Sequence, residues 1–184
     1  MSFFPRRGLA KLTTVLVAVL IAGFGVTAAP AAARAAGSLT YYSYYSLESR
    51  NYPGYFARHQ NFLGELTTIS SPLDRADATW MIVPGLAGTG VSFRSKNYPS
   101  YYLRHANWRL QISQSDGSQL FREDATFSVR PGNAGGGSGW SSFESYNYPG
   151  HYLRHANYHL WLNANDGTPL FAADSTWALE PPLG

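Results

Sequence analysis

From Ser92 to Pro131 the chain falls into four short strand-like pieces. The first, Ser92 to Ser95, stops before Asn97-Tyr98-Pro99, a turn signal. In the second, Tyr101, Leu103 and His105 share one face and Tyr102 and Arg104 the other, because successive strand side chains point to opposite sides. Leu110 and Ile112 alternate in the third, and Asp116-Gly117 then turns the chain, since that pair readily supplies positive φ. Leu120 and Phe121 form an apolar pair in the loop that follows, and Thr126 to Arg130 is the fourth piece, with Phe127 and Val129 on one side. No segment sustains the 3.6-residue apolar period that predicts a helix.

The same phrase occurs three times, and this fixes the architecture before any single residue does. The copies run over residues 46–85, 92–131 and 142–181. In the third, Leu153, Leu160, Leu162, Leu170, Phe171, Trp177 and Leu179 take the matching apolar places, with Asp166-Gly167 as the turn. The first keeps Leu47, Trp80 and Ile82 but has Ser70-Ser71-Pro72 where the others have Asp-Gly. Gly-rich connectors, residues 85–90 and 133–139, join the copies, and a tyrosine-rich lead-in, Gly37 to Tyr45, reads as a strand that closes onto them. Three repeats of about four strands predict an all-β domain of about twelve strands. Three units are too few for a propeller. Closure about a pseudo-threefold axis leaves no long unpaired edge, so the expected fold is a β-trefoil over residues 37–184.

Charge changes meaning once the start of the chain is set aside. Arg6, Arg7 and Lys11, an apolar run from Leu12 to Val26 and an A-x-A pattern ending at Ala33 describe a secretory signal peptide over residues 1–36. The whole chain is +3, yet that segment holds four of the 14 Lys and Arg and none of the 11 acids, so the remainder has 10 basic and 11 acidic residues, a net of −1. No basic face remains to bind phosphates, which excludes a nucleic-acid partner. The apolar run is short for a membrane span, so no stable membrane insertion is expected after cleavage, and the product is expected to be secreted and monomeric. Cysteine is absent, which rules out disulfides, thiolate metal sites and cysteine nucleophiles.

Two polar positions recur with the apolar ones. His59, His105 and His155 each end an Arg-His pair, and Asp77, Asp124 and Asp174 follow them by 18, 19 and 19 residues. Core packing alone gives no reason to repeat an imidazole and a carboxylate three times, so these six are the main functional signal. A typical glycosidase needs two carboxylates flanking one bond. Acids that recur once per repeat are distributed into separate sites instead, so the domain is expected to be non-catalytic. His151, His155 and His159 recur every four residues, which on a helix would make a metal face, but the segment reads as strand and His151 and His159 align with Tyr101 and Arg109 of the second copy, so no metal or cofactor is implied.

The run NYPSYYLRHANWRLQI, followed by DGSQLF and DATFSVRPG, resembles the arabinose-binding domain of α-L-arabinofuranosidase B, the family 42 carbohydrate-binding module. The resemblance covers about residues 46–181. It implies a β-trefoil whose three subdomains can each hold an L-arabinofuranose side chain of arabinoxylan or arabinan, so the partner is an arabinose-substituted plant cell-wall polysaccharide. It further implies that His105 with Asp124, His155 with Asp174, and His59 with Asp77 bind the sugar hydroxyls. The chemistry suits those residues: an ionised carboxylate accepts charge-assisted hydrogen bonds, and a neutral imidazole offers one donor and one acceptor. A purely structural tie between His and Asp would also account for the recurrence. Tyr102 and Tyr152 fit either a pocket wall or the core, and Asn107 and Asn157 either a sugar contact or a turn. With Phe56-Ala57 for Tyr-Leu and no Asp-Gly turn, repeat 1 is expected to hold the weakest pocket.

Overall fold

The computed structural model describes Met1 and residues 39–184; the expected signal segment falls, apart from Met1, outside the described residues. Each repeat is built as three strands, a short helix and a fourth strand. Repeat 1 comprises β1 (Ser43–Ser49), β2 (Phe56–Gln60), β3 (Leu63–Thr67), α1 (Pro72–Asp77) and β4 (Trp80–Pro84). Repeat 2 comprises β5 (Val91–Ser95), β6 (Tyr101–Ala106), β7 (Arg109–Gln114), α2 (Gln119–Asp124) and β8 (Phe127–Pro131). Repeat 3 comprises β9 (Trp140–Ser145), β10 (His151–Ala156), β11 (His159–Ala164), α3 (Pro169–Asp174) and β12 (Trp177–Glu180).

The second and third strands of each repeat form a hairpin closed by two residues, both at positive φ: Asn61 and Phe62 (+52°, +67°), Asn107 and Trp108 (+50°, +66°), Asn157 and Tyr158 (+51°, +64°). A turn of that hand matches the right-handed twist of the strands, and asparagine tolerates it. An aromatic gains nothing comparable there, so three ring-bearing residues are held in a sparsely populated conformation.

The loop expected around Leu120 and Phe121 is a helix. Its N-cap Ser118 accepts from Phe121 N at 3.1 Å, as Thr168 does from Phe171 N at 3.1 Å, while Ser71 and Asp74 form a capping box on α1. Six residues are too few to display a helical period, which is why the alternation gave no warning. The helices turn Phe121 and Phe171 inward and leave Leu73, Leu120 and Leu170 on the surface.

Six strands close into a ring through the pairs β1–β4, β4–β5, β5–β8, β8–β9, β9–β12 and β12–β1. The all-β expectation therefore holds, with a closed barrel whose edges are paired within the ring. The lead-in is indeed a strand from Ser43, with Ser43 opposite Ile82 and Tyr45 opposite Trp80. The three hairpins meet one another at one end through β3–β7, β7–β11 and β11–β3. Leu47, Phe93 and Phe143, one from each repeat, are fully buried in the core, and the rings of Phe93 and Phe143 meet edge to face with centroids 4.9 Å apart. Where the hairpins converge, Leu110 and Leu160 are matched in repeat 1 by Gly64, whose absent Cβ would lie 3.0 Å from Leu110 O and 3.1 Å from Leu160 Cβ. The glycine leaves the room that the two leucines fill.

Candidate functional site

The first strand of each hairpin carries the Arg-His pair and places its imidazole against the turn of the following repeat. His59 Nε2 lies 3.0 Å from Asn97 Oδ1, His105 Nε2 lies 3.0 Å from Asn147 Oδ1, and His155 Nε2 lies 2.9 Å from Asn51 Oδ1. The same three amides donate through Nδ2 to a carboxylate: Asn97 to Asp77 Oδ1 at 2.6 Å, Asn147 to Asp124 at 2.7 Å and Asn51 to Asp174 at 2.7 Å. These bonds fix the order of donation. The imidazole Nε2–H gives to the amide oxygen, the amide nitrogen gives to the carboxylate, and Nδ1 is left as the acceptor. A serine two residues before each asparagine supports its oxygen, with Ser95, Ser145 and Ser49 donating at 2.9, 2.9 and 3.0 Å.

His and Asp thus come together in all three predicted pairs, 3.5 Å apart in repeat 1, 3.3 Å in repeat 2 and 3.6 Å in repeat 3, and the amide bridges each. This corrects one inference from the sequence: the pair does have a structural reason to recur. It ties repeat 1 to repeat 2, repeat 2 to repeat 3, and repeat 3 back to repeat 1. All six groups are between 3% and 5% exposed. Burial pushes the three imidazoles below their ordinary 6.5, and His155 falls to about 4; the neighbouring aspartate pulls each the other way and is outweighed.

The arginine before each histidine completes the chain in repeats 2 and 3. Arg104 Nη2 bonds Asp124 Oδ2, and Arg154 Nη2 bonds Asp174 Oδ2 at 2.5 Å. Their guanidinium groups lie over the rings of Phe121 and Phe171, 5.3 and 5.2 Å from the centroids. Tyr102 and Tyr152 face those same phenylalanines at 6.4 Å, on the helix side of the hairpin. The aromatics beside the imidazoles are others. Tyr98, Tyr148 and Tyr52 from the turns approach His59, His105 and His155 at 5.5, 5.3 and 5.2 Å. Each turn tyrosine also meets a hairpin-tip ring: Phe62 at 5.5 Å, Trp108 at 5.0 Å and Tyr158 at 5.7 Å. Asn107 and Asn157 occupy the left-handed turn positions next to those rings.

In repeat 1 these groups line an open hollow of ≈ 310 Å³, with Arg58, His59, Phe62, Leu73, Asp77 and Tyr98 in its wall. A ring face, an imidazole and a carboxylate converging on one solvent-facing space can hold a small polyol: the aromatic covers C–H groups and the polar atoms take hydroxyls. Sequence reasoning missed the turn asparagine and tyrosine and the tip aromatic. Their recurrence was visible in every Asn-Tyr-Pro, but each turn serves the site of the preceding repeat, a pairing that only the closed ring creates. Among the described residues no group of three or more His, Asp or Glu gathers as metal ligands; His151 stacks on Trp108 at 5.2 Å, and His159 pairs with Glu65 at 2.5 Å.

A sequence model of the alpha-L-arabinofuranosidase B (ABFB) domain matches residues 63–179. Comparison with the curated proteins gives no match. Among solved structures, a mutant GH54 α-L-arabinofuranosidase soaked with 4-nitrophenyl α-L-arabinofuranoside is similar at 28% identity and a TM-score of 0.73, over 80% of this chain and 33% of that one. An arabinofuranosidase complexed with arabinofuranosyl-α-1,2-xylobiose is similar at 28% identity and a TM-score of 0.72, over 80% and 32%. This chain therefore spans about a third of the length of those enzymes. A β-trefoil structure, BEL, matches at 13% identity and a TM-score of 0.58 over 78% of this chain and 96% of that one, a likeness of fold alone.

Proposed function

The chain belongs to the alpha-L-arabinofuranosidase B (ABFB) domain family, and from that premise we propose that it is a secreted, non-catalytic β-trefoil module that grips L-arabinofuranosyl side chains of arabinoxylan or arabinan. The observation that carries this reading is the hollow of repeat 1, where His59, Asp77, Phe62 and Tyr98 converge, together with the same residue types at the two equivalent places. The ring of six strands with its triplet of hairpins supports the trefoil assignment. The recurring carboxylates lie in three separate sites, which does not suit the paired acids of a typical glycosidase. The hollow of repeat 1 is small, and two or three such sites engaging one polymer raise retention through effective concentration without any new contact.

Binding to arabinoxylan before and after enzymatic removal of its arabinose branches tests the proposal. Retention that disappears with the branches supports it. Equal retention on the debranched polymer overturns it, and release of product from an aryl arabinofuranoside by the pure protein overturns the non-catalytic assignment.

A further inference from the structure

Repeat 1 departs from both other repeats at one helix position. Asp74 of α1 stands where repeats 2 and 3 have Phe121 and Phe171. In those repeats the guanidinium rests on the phenylalanine ring, gives Nε to the carbonyl of the following histidine (3.2 Å for Arg104, 3.1 Å for Arg154) and gives Nη2 to the aspartate. In repeat 1 the Asp74 carboxylate takes Arg58 Nη1 instead, and is itself held by Ser70 and Ser71. Two consequences follow among the described residues. Arg58 Nε is buried with no hydrogen-bond partner. No hydrogen bond reaches Asp77 Oδ2, from which Arg58 Nη2 stands 3.9 Å away, while its Oδ1 is taken by Asn97.

Asp77, Arg58 and Asp74 all line the hollow of repeat 1. We infer that this pocket, which the sequence ranks last, is the tightest of the three for a neutral furanoside. Its carboxylate has an oxygen with no hydrogen bond to give to a ligand hydroxyl, whereas in Asp124 and Asp174 one oxygen already accepts from an asparagine and the other from an arginine. A hydroxyl donating to an ionised carboxylate makes a charge-assisted bond. A ligand hydroxyl that must compete with a guanidinium for the same oxygen gains far less. Asp74 is a positioning residue, because it draws the arginine away from Asp77. The inference rests on the proposed sugar-binding role.

Calorimetric titration with methyl α-L-arabinofuranoside tests it. Asp77→Asn is expected to remove the tightest component, weakening it at least about tenfold, while Asp124→Asn and Asp174→Asn leave that component in place. Asp74→Phe is expected to return Arg58 to Asp77 and to lower repeat 1 to the level of the other pockets; α2 and α3 fold with phenylalanine at that position. Loss of the tightest component in Asp124→Asn or Asp174→Asn, with Asp77→Asn unaffected, overturns the inference. Should Asp77→Asn fail to fold, Asp74→Phe decides, and unchanged affinity in that variant overturns it as well. Absence of arabinofuranoside binding by the unaltered protein sinks both this inference and the sugar-binding role beneath it.

Discussion

Acid should loosen this domain as the pH falls below 6.5. His155 is 3% exposed, its Nε2–H is committed to Asn51, and burial pushes its pKa from 6.5 to about 4 against the pull of Asp174. A folded-state value below the unfolded one means that the unfolded chain takes the proton first. The contribution is therefore complete above pH 6.5 and is lost as pH falls from there towards 4. Each pH unit in that window is worth about 1.4 kcal/mol, so His155 alone accounts for about 3 kcal/mol, a large share of a typical domain's stability. His59 and His105 act with the same sign. The helix-side turns do not confuse the window, because the backbone N–H groups of Ser118 and Thr168 hold the Asp116 and Asp166 carboxyls below their ordinary 3.8. Denaturant unfolding of residues 37–184 at pH 7, 6, 5 and 4.5 should show stability falling steadily below 6.5. His155→Gln, which keeps a donor for Asn51, should flatten the curve by that residue's share. Equal stability at pH 7 and pH 5, or a His155 imidazole that titrates at or above 6.5 in the folded protein, would refute the reasoning.

Three further outcomes can be checked. Asn147→Ala strips His105 of its acceptor and Asp124 and Ser145 of their amide partner, so denaturant unfolding should show a loss of about 3 kcal/mol. Gly64→Ala sets a methyl 3.0 Å from Leu110 O and 3.1 Å from Leu160 Cβ, and the overpacking should cost about 1–3 kcal/mol in the same assay. Trp108→Gly removes a ring from the second site while relieving a φ of +66°; retention on arabinoxylan should fall, with unfolding free energy changed by no more than about 1 kcal/mol.

Much of the architecture is written locally. Alternation over a few residues, an Asp-Gly or Asn-aromatic turn and a threefold phrase are properties of neighbouring residues, and they suffice for short strands, hairpins and an all-β closure. The His and Asp of each site were legible for the same reason, as polar positions that recur at fixed spacing. The helices α1–α3 were not, because one and a half turns carry no period and only the caps Ser71, Ser118 and Thr168 mark them. The composition of each site was not legible either. His105 finds Asn147 and Tyr148 from the next repeat, and His155 finds Asn51 and Tyr52 from the first, 104 residues away for the Asn51 bond. Sequence alone determines which residue types recur and how often. Only the closing of β12 onto β1 determines which repeat's turn meets which repeat's histidine, and only packing against α1 determines that Arg58 serves Asp74 while Arg104 and Arg154 serve the site carboxylates. Those partnerships are made across the ring, between groups that no local spacing relates.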